Sequence, residues 1–309
     1  MSDRAPRHLV ALLGATASGK TAAAVAAARR VAVEVVSADS RQVRREMRIG
    51  TAAPTDEELA TVPHHLVGVV APDAPWSLAE WLREARAALE GISQRGRLPL
   101  LVGGTGQYVW ALLEGWQVPE VPPDQALRAS LEAVAAEHGP ATLHARLSAV
   151  DPASATRIAP TNVRRVIRAL EIVEATGMPV PPLESRDPGF TWRAVGLRWP
   201  RDVLHVRADA RAQAMYDAGL VEETRTLVER HGRGYPALDA IGYREALGVI
   251  DGALTVDEAM KRTRIETHRL VRMQATWFRE DDPRIDWVDG ADVEGAVAAI
   301  ERAAQPHVP

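Results

Sequence analysis

The chain has 309 residues, of which 25% are charged and 46% are hydrophobic, and its formal net charge is −4. These proportions are typical of a globular protein with one large or two modest domains, and the charge does not by itself indicate nucleic-acid binding. The absence of cysteine excludes disulfides, thiolate zinc sites and cysteine nucleophiles. No apolar run long enough to span a membrane and no signal-peptide pattern is visible, so we expect a cytoplasmic protein, with a monomer as the default.

The first predicted strand, residues 9–13, leads directly into a complete phosphate-binding motif. The motif consists of Gly14, Ala15, Thr16, Ala17, Ser18, Gly19, Lys20 and Thr21. In the order strand, glycine-rich turn and helix, such a motif binds phosphate through backbone N–H groups and the positive end of the helix dipole. Lys20 is expected to reach the outer phosphate, and the Thr21 hydroxyl to ligate a magnesium ion. Since Lys20 and Lys261 are the only lysines of an arginine-rich chain, a glycine-rich turn with a stray lysine is the weaker interpretation.

Helical and strand patterns alternate through the first third of the chain. We predict a helix over residues 21–30 and strands over residues 31–36, 63–70 and 98–102. A capping box of Ser77 and Glu80 is expected to open a helix over residues 78–91. Strands that alternate with helices indicate a parallel sheet that binds ligands at its carboxyl edge. The sequence therefore predicts an α/β fold, a P-loop NTPase-like parallel sheet flanked by helices.

Two proline-rich passages, residues 118–123 and 178–182, enclose a helical stretch. Helices are predicted there over residues 125–138, 141–148 and 162–176, and the flanking prolines indicate an inserted helical subdomain. We therefore expect a first core segment (1–118), a helical insert (119–185) and a return to the core (186–309). The last segment is predicted to hold a strand over residues 194–197 and helices over residues 201–231, 242–249 and 256–279.

Polar residues follow two predicted strands at the edge where the phosphate loop lies. Asp39 comes after the second strand, and Gly103, Gly104 and Thr105 come after the strand of residues 98–102. A carboxylate beside a phosphate site commonly holds magnesium or accepts a proton. Spacing alone leaves open whether Asp39 does this or only caps a turn, and Thr105 could also be only a turn hydroxyl.

Taken together, the motifs resemble those of the bacterial tRNA dimethylallyltransferase (tRNA isopentenyltransferase) family. They are residues 14–21, 39–42, 49–52, 63–66, 101–108, 162–165, 168–171, 241–244 and 272–279, in family order across nearly the whole chain. The resemblance implies transfer of a dimethylallyl group from its diphosphate to N6 of the adenosine 3′ of the anticodon, with Mg²⁺ and without ATP. It implies that tRNA and dimethylallyl diphosphate are the partners, and that the insert contacts the tRNA anticodon stem-loop.

The resemblance also implies roles for individual residues. Asp39 would be the general base with Thr105 beside it, and Arg211 would approach the diphosphate held by the loop. The tRNA-binding residues would be Asp39, Ser40, Arg41, Gln42, Arg164, Arg165, Arg168, Ile241, Gly242, Tyr243, Arg244, Arg272, Gln274, Trp277 and Arg279. For Trp277 core packing is the safer interpretation, and for Arg211 the alternative is an exposed helix charge. The chain departs from the family pattern at Ala15, Arg44, Glu46, Arg48 and Ala53, where Pro, Tyr, Gly, Asp and Lys are common.

Basic residues cluster in a way that fits an RNA partner. In the last long predicted helix, Lys261, Arg262, Arg269, Arg272 and Arg279 fall within about a 100° sector at helical spacing. Without the resemblance, a solvated helix face would be the simpler interpretation. Two other functions use the same features: a small-molecule or nucleoside kinase that binds ATP in the loop, and a non-catalytic RNA-binding protein with a decayed loop. The paired C-terminal motifs argue against the first, and intact Lys20, Thr21 and Asp39 argue against the second.

Overall fold

The structure, a computed structural model, describes residues 8–305. The described chain forms two compact units. The first contains the residues up to Trp76, Trp81–Leu113 and the residues from Asp187 onward, and the second contains Ser77–Glu80 and Glu114–Arg186. Within residues 8–305, no helix is both long and apolar enough to cross a membrane.

The first unit is built on a six-stranded sheet. Its strands are β1 (His8–Leu13), β2 (Val33–Ala38), β3 (His64–His65), β4 (Leu98–Gly103), β5 (Thr191–Arg198) and β6 (Ile285–Asp289). They lie in the order β3-β2-β4-β1-β5-β6, and every pair is parallel. The predicted parallel sheet is therefore confirmed. Since β1, β2 and β4 are neighbours, the segments after their carboxyl ends lie side by side, which is what positions the site.

Helices connect and cover these strands. Those outside the second unit are α1 (Lys20–Ala27), α2 (Asp56–Thr61), α3 (Leu78–Gln94, whose first turn is assigned to the second unit) and α4 (Gly106–Leu113). The second unit holds α5 (Gln125–His138), α6 (Pro140–Val150), α7 (Pro152–Arg157) and α8 (Val163–Thr176). After β5 come α9 (Arg201–Asp217), α10 (Leu220–His231), α11 (Tyr243–Ile250), α12 (Val256–Trp277) and α13 (Val293–Ala304), with a short 3₁₀ turn at Pro236–Asp239.

Small side chains bring α1 close to one face of the sheet. Ala23, Ala24 and Ala27 are buried, and they pack in one cluster with Val10 of β1 and Ile300 of α13. Alanine costs little side-chain entropy in a helix and allows close approach to the strands. The phosphate-binding loop is thus joined at both ends to elements that are fixed in the core.

The second unit has its own apolar core and one buried carboxylate. Leu131, Leu143 and Val166 pack together between its helices. Glu171 is buried, and it accepts hydrogen bonds from the Arg128 guanidinium at 2.9 Å and from the guanidinium of Arg168. Because a buried charge needs a partner, this network ties α8 to α5.

Several predicted elements are corrected. The helix predicted over residues 201–231 is two helices, because Gly219 takes a left-handed conformation (φ 95°) between α9 and α10. The strand predicted over residues 63–70 is limited to β3, since Leu66 and Gly68 have positive φ angles of 64° and 61°. The last long helix ends at Trp277, so Arg279 lies beyond it. The capping box of Ser77 and Glu80 is confirmed, with hydrogen bonds of 2.7 and 3.2 Å.

Candidate active site

The loop between β1 and α1 is shaped around the Lys20 ammonium group. Its Nζ donates hydrogen bonds to the carbonyl oxygens of Gly14 (3.0 Å) and Ala15 (2.7 Å). Ala17 lies in the left-handed region with φ 63°, a conformation that costs about 1–2 kcal/mol for a residue with a Cβ. Gly14 has a positive φ of 153°, and a Cβ there would lie 2.7 Å from the Ser18 hydroxyl and 3.2 Å from the Leu197 carbonyl oxygen, so this position favours glycine. The loop is therefore tight and needs support from outside.

Two residues that follow β5 provide part of that support. The Nε of Arg207 donates to the carbonyl of Ala17 at 2.8 Å, and the indole Nε1 of Trp199 donates to the carbonyl of Ser18 at 2.9 Å. The Arg207 guanidinium also lies 4.2 Å from the centre of the Trp199 ring, a cation–π contact. Arg207 and Trp199 were missed by the sequence analysis. The only signal was the four-residue spacing of Arg207 and Arg211 on a predicted helix.

The turn that begins at Asp39 is joined to Thr105 at the neighbouring strand end through Ser40. The Oδ1 of Asp39 accepts hydrogen bonds from the backbone N–H groups of Arg41 (2.8 Å) and Gln42 (3.2 Å). The backbone N–H of Ser40 donates to the Thr105 Oγ1 at 3.1 Å. Within residues 8–305, Oδ2 of Asp39 has no hydrogen-bond partner. The turn cap considered from the sequence is thus present, and it leaves the second carboxylate oxygen available.

A cavity of about 570 Å³ opens at these strand ends, lined by Asp39 but not by Thr105. Its wall includes five residues of the phosphate loop and four residues from other segments: Thr16, Ala17, Gly19, Lys20 and Thr21, with Asp39, Gly104, Arg207 and Arg211. Arg211 is held there by a hydrogen bond of 3.1 Å from its guanidinium to the carbonyl of Thr51. Arg211 is thus a cation of the cavity wall rather than an exposed helix charge.

Burial and charge together make this cavity suited to an anion. Burial, and secondarily the charge of Arg211, lowers the pKa of Lys20 to about 8, while Asp39 opposes the change. Burial likewise lowers the pKa of Arg211, with Asp39 again acting in the other direction. Because burial destabilises the charged forms of Lys20 and Arg211, a bound anion would stabilise both of them strongly. In the described chain, residues 8–305, no group of three His, Asp or Glu side chains could hold a metal ion.

Comparison with known proteins assigns the family. The family model described as IPP transferase matches residues 42–281, and the one described as isopentenyl transferase matches residues 7–65. The chain belongs to the IPP transferase family. It is 52% identical over 277 residues to a protein of Chloroflexus aurantiacus named tRNA dimethylallyltransferase, covering 88% of this chain and 93% of the relative. It is 43% identical to the protein of that name from Herpetosiphon aurantiacus, covering 99% and 98%.

Solved structures give the same assignment. A tRNA isopentenylpyrophosphate transferase from Bacillus halodurans superposes with a TM-score of 0.70, at 37% identity and with 97% of each chain covered. A eukaryotic dimethylallyltransferase acting on tRNA has a TM-score of 0.79 at 24% identity, with 96% of this chain and 77% of that chain covered. The second likeness concerns the fold alone. As a member of the IPP transferase family, the chain is a transferase enzyme.

The residues predicted to bind tRNA lie in different environments. Arg164 and Arg165 are exposed at the start of α8, and Arg272 is exposed on α12. Arg168 instead faces Glu171 and donates to the carbonyl of Val121 at 2.9 Å. For Arg164, Arg165 and Arg272 the RNA role stays a prediction, whereas Arg168 already has a structural role.

Tyr243 is a correction to the predicted RNA surface. Its side chain is fully buried, and its hydroxyl donates to Glu223 at 2.6 Å. Burial is the main reason that the pKa of Tyr243 is raised above its ordinary value. Gly242 is also buried, with its N–H bonded to Glu245, and Ile241 is half-buried. Tyr243 packs in the core between α10 and α11. Of residues 241–244 only Arg244 is exposed, and its guanidinium pairs with Glu245.

The end of α12 also differs from the prediction. Arg279 forms a two-point ion pair with Asp281 at 2.8 and 2.9 Å, outside the helix. It therefore does not share a helical face with Arg272. Trp277 is half-buried, and it packs so closely on Gly106 that a Cβ there would lie 2.2 Å from the indole. Its place fits the core-packing interpretation.

Ser40, Arg41 and Gln42 occupy the turn after Asp39. Arg41 is exposed, while the Gln42 side chain donates to the carbonyl of Ala52 at 3.0 Å. Gln42 therefore closes the turn against the following loop, and the RNA contacts of all three stay predictions.

Pyrophosphate binding is expected to weaken as the pH rises through about 8. Below that pKa Lys20 is charged and attracts the anion, and above it the neutral amine does not. A bound anion raises the pKa of Lys20, so binding takes up a proton and affinity falls by up to about tenfold per pH unit above 8. Calorimetric titration of the wild type and Lys20→Arg across this range measures the effect.

The Lys20→Arg variant is the matched control, because its guanidinium stays protonated and because pyrophosphate itself titrates in the same range. The affinity of the wild type should fall relative to that of the variant. Parallel affinity curves for the two proteins would show that Lys20 does not titrate in this range.

Proposed function

We propose that this enzyme transfers a dimethylallyl group from dimethylallyl diphosphate to N6 of the tRNA adenosine 3′ of the anticodon. The observation that carries the proposal is that residues of a phosphate-binding loop and Asp39 line the same cavity. A prenyl transfer needs one group that stabilises a departing diphosphate and another that accepts a proton. The relatives named tRNA dimethylallyltransferase support this choice of donor and acceptor.

On the donor side, the loop N–H groups, Lys20 and Arg211 would bind the diphosphate. As the C–O bond breaks, negative charge grows on the leaving group, and buried donors already in place stabilise that charge without reorganisation. A bound Mg²⁺ would neutralise further charge on the diphosphate oxygens. The Thr21 hydroxyl suits Mg²⁺, which prefers oxygen ligands and usually keeps one or two protein ligands beside phosphate and water.

On the acceptor side, Asp39 would remove the proton. The exocyclic amine of adenine is a poor nucleophile because its lone pair is conjugated with the ring, so a base must act as the new bond forms. Oδ1 of Asp39 accepts hydrogen bonds from the N–H groups of Arg41 and Gln42, which would hold the carboxylate in place and leave Oδ2 to accept the proton. Thr105 would steady the same turn through the N–H of Ser40. The adenine must leave its stack in the anticodon loop to reach this position.

Nothing in the site or among the relatives favours the kinase or the non-catalytic alternative. This chain covers 93% and 98% of the two relatives named tRNA dimethylallyltransferase. We also propose that the enzyme recognises the anticodon stem-loop and acts as a monomer. A cytoplasmic location, where tRNA is found, is part of the same proposal.

A transfer assay tests this function directly. The wild type with Mg²⁺, dimethylallyl diphosphate and an unmodified tRNA bearing adenosine 3′ of the anticodon should form N6-dimethylallyladenosine without ATP, as detected by nucleoside mass spectrometry. A tRNA with guanosine at that position is the matched control and should stay unmodified. Consumption of ATP with a small acceptor, and no modified nucleoside from any such tRNA, would contradict the proposal.

The Asp39→Asn variant is expected to lose turnover but to bind its substrates as the wild type does. The amide preserves the shape and the Oδ1 hydrogen bonds but cannot accept the proton, so kcat should fall by roughly 10²-fold or more. Single-turnover rates and tRNA binding by filter retention separate the two effects. Asp217→Asn, on the exposed end of α9, is the control. A kcat near that of the wild type would remove Asp39 from the role of base.

Two exposed arginines at the start of α8 support an RNA-binding surface on the second unit. Arg164 and Arg165 lie in the first helical turn, after the cap Asn162, where the helix dipole is positive. Cations there cost a few tenths to about 1 kcal/mol, and this turn contains no acidic residue to compensate. An anionic backbone would relieve that repulsion.

Neutralising both residues, Arg164→Gln with Arg165→Gln, should therefore have opposite effects on two measurements. The melting temperature should stay equal or rise, while tRNA affinity falls and the salt slope decreases by roughly 0.7–0.9 per lost phosphate contact. Arg146→Gln, another exposed arginine of the second unit, is the matched control and should leave the slope unchanged. An unchanged slope in the double variant would mean that this surface is only solvated.

A further inference from the structure

Gln274 connects two parts of the site that are far apart in sequence. Its side chain on α12 is buried, with 9% exposure. The Oε1 accepts a hydrogen bond from the backbone N–H of Thr16 at 2.7 Å, and the Nε2 donates to the carbonyl of Gly104 at 2.9 Å. One carboxamide therefore bridges the phosphate loop and the segment after β4.

The partners of this amide fix its orientation. Thr16 presents an N–H and needs an acceptor, whereas Gly104 presents a carbonyl and needs a donor. Only an uncharged group with one acceptor and one donor satisfies both, and a side-chain amide is such a group. The fit is close, since a Cβ on Gly104 would lie 2.5 Å from Nε2 of Gln274.

The two bridged segments carry the two halves of the chemistry. Thr16 belongs to the loop that contains Lys20, on the leaving-group side. Gly104 precedes Thr105, whose Oγ1 accepts from the N–H of Ser40 beside Asp39 on the base side. Any change in the distance between Thr16 and Gly104 would alter the distance between these halves. A displacement of about 1 Å between reacting groups can cost roughly 10²-fold in rate.

We propose that Gln274 is a positioning residue that sets the separation between the diphosphate-binding loop and the Asp39–Thr105 turn. Its role rests on the proposed function. Gln274 also lines the cavity, but its Oε1 and Nε2 are bonded to Thr16 and Gly104, so its role differs from direct contact with tRNA. Gln274 acts on the alignment of donor and acceptor in the ternary complex rather than on the binding of either one.

The Gln274→Glu variant tests this through its pH profile. Near pH 8 the carboxylate lacks the donor to Gly104 and places a charge against that carbonyl, so kcat should fall by roughly 10- to 100-fold with KM values little changed. A protonated carboxyl has one donor and one acceptor, like the amide, and burial raises the pKa of such a group. The ratio of variant to wild-type kcat should therefore rise as the pH falls toward about 5.

Two further variants separate positioning from folding. Gln274→Met, of similar size, should lose kcat at every pH without recovery. Gln213→Glu on α9, where the amide joins Arg264 and Asp217, is the matched control and should follow the wild type at every pH. Gly104→Ala would disturb the same bridge, because its Cβ would meet Nε2 of Gln274. The loss of kcat that it causes should therefore not add to the loss caused by Gln274→Glu. Circular dichroism and melting curves define the folded fraction to which each rate is referred.

Either of two results would overturn the proposal: a folded Gln274→Glu with kcat close to the wild type near pH 8, or a deficit that is the same at every pH. Should the glutamate variant not fold, full additivity between Gly104→Ala and Gln274→Met would overturn it. The proposed function is judged separately, since product formed by the wild type supports it whatever the variants do.

Discussion

The site depends on one constraint: the loop of residues 14–21 must keep a conformation that its own sequence does not favour. Ala17 is left-handed, and the carbonyls of Gly14 and Ala15 point at the Lys20 ammonium group. The compensating contacts come from after residue 198, through Trp199, Arg207 and Gln274. The first loop of the chain is therefore completed by its last third, which explains why the family motifs extend over nearly the whole sequence.

The order of the strands adds the second half of the site. β4 lies between β1 and β2, so the segments that carry Gly104, Thr105 and Asp39 end beside the loop. Hydrogen bonds then define their separation: Ser40 to Thr105, and Gln274 across to Gly104 and Thr16. Burial of Lys20 and Arg211 around this arrangement creates a cavity that favours an anion, and Asp39 gives it a group able to accept a proton.

Local sequence patterns predicted much of the fold and of the candidate site. The features that they did not predict depend on tertiary contacts. The parallel sheet and the Ser77–Glu80 capping box are confirmed, because apolar runs and capping signals act over a few residues. Trp199 and Arg207 were missed because their partners lie more than 180 residues away in sequence. Tyr243 was assigned to the RNA surface from a motif, although the fold buries it against Glu223. A motif thus marks a residue that matters without saying whether it contacts the substrate or supports the core.

If the loop binds the diphosphate of a prenyl donor, that donor should protect the protein against thermal unfolding. Thermal unfolding with Mg²⁺ would be followed for the wild type and Lys20→Met, with dimethylallyl diphosphate or ATP added. The prenyl diphosphate should stabilise the wild type by about 2.7 kcal/mol at a hundredfold excess over Kd. Lys20→Met should lose most of this stabilisation, and ATP should give far less. Equal or greater protection by ATP would show that the loop is not a site for the prenyl diphosphate.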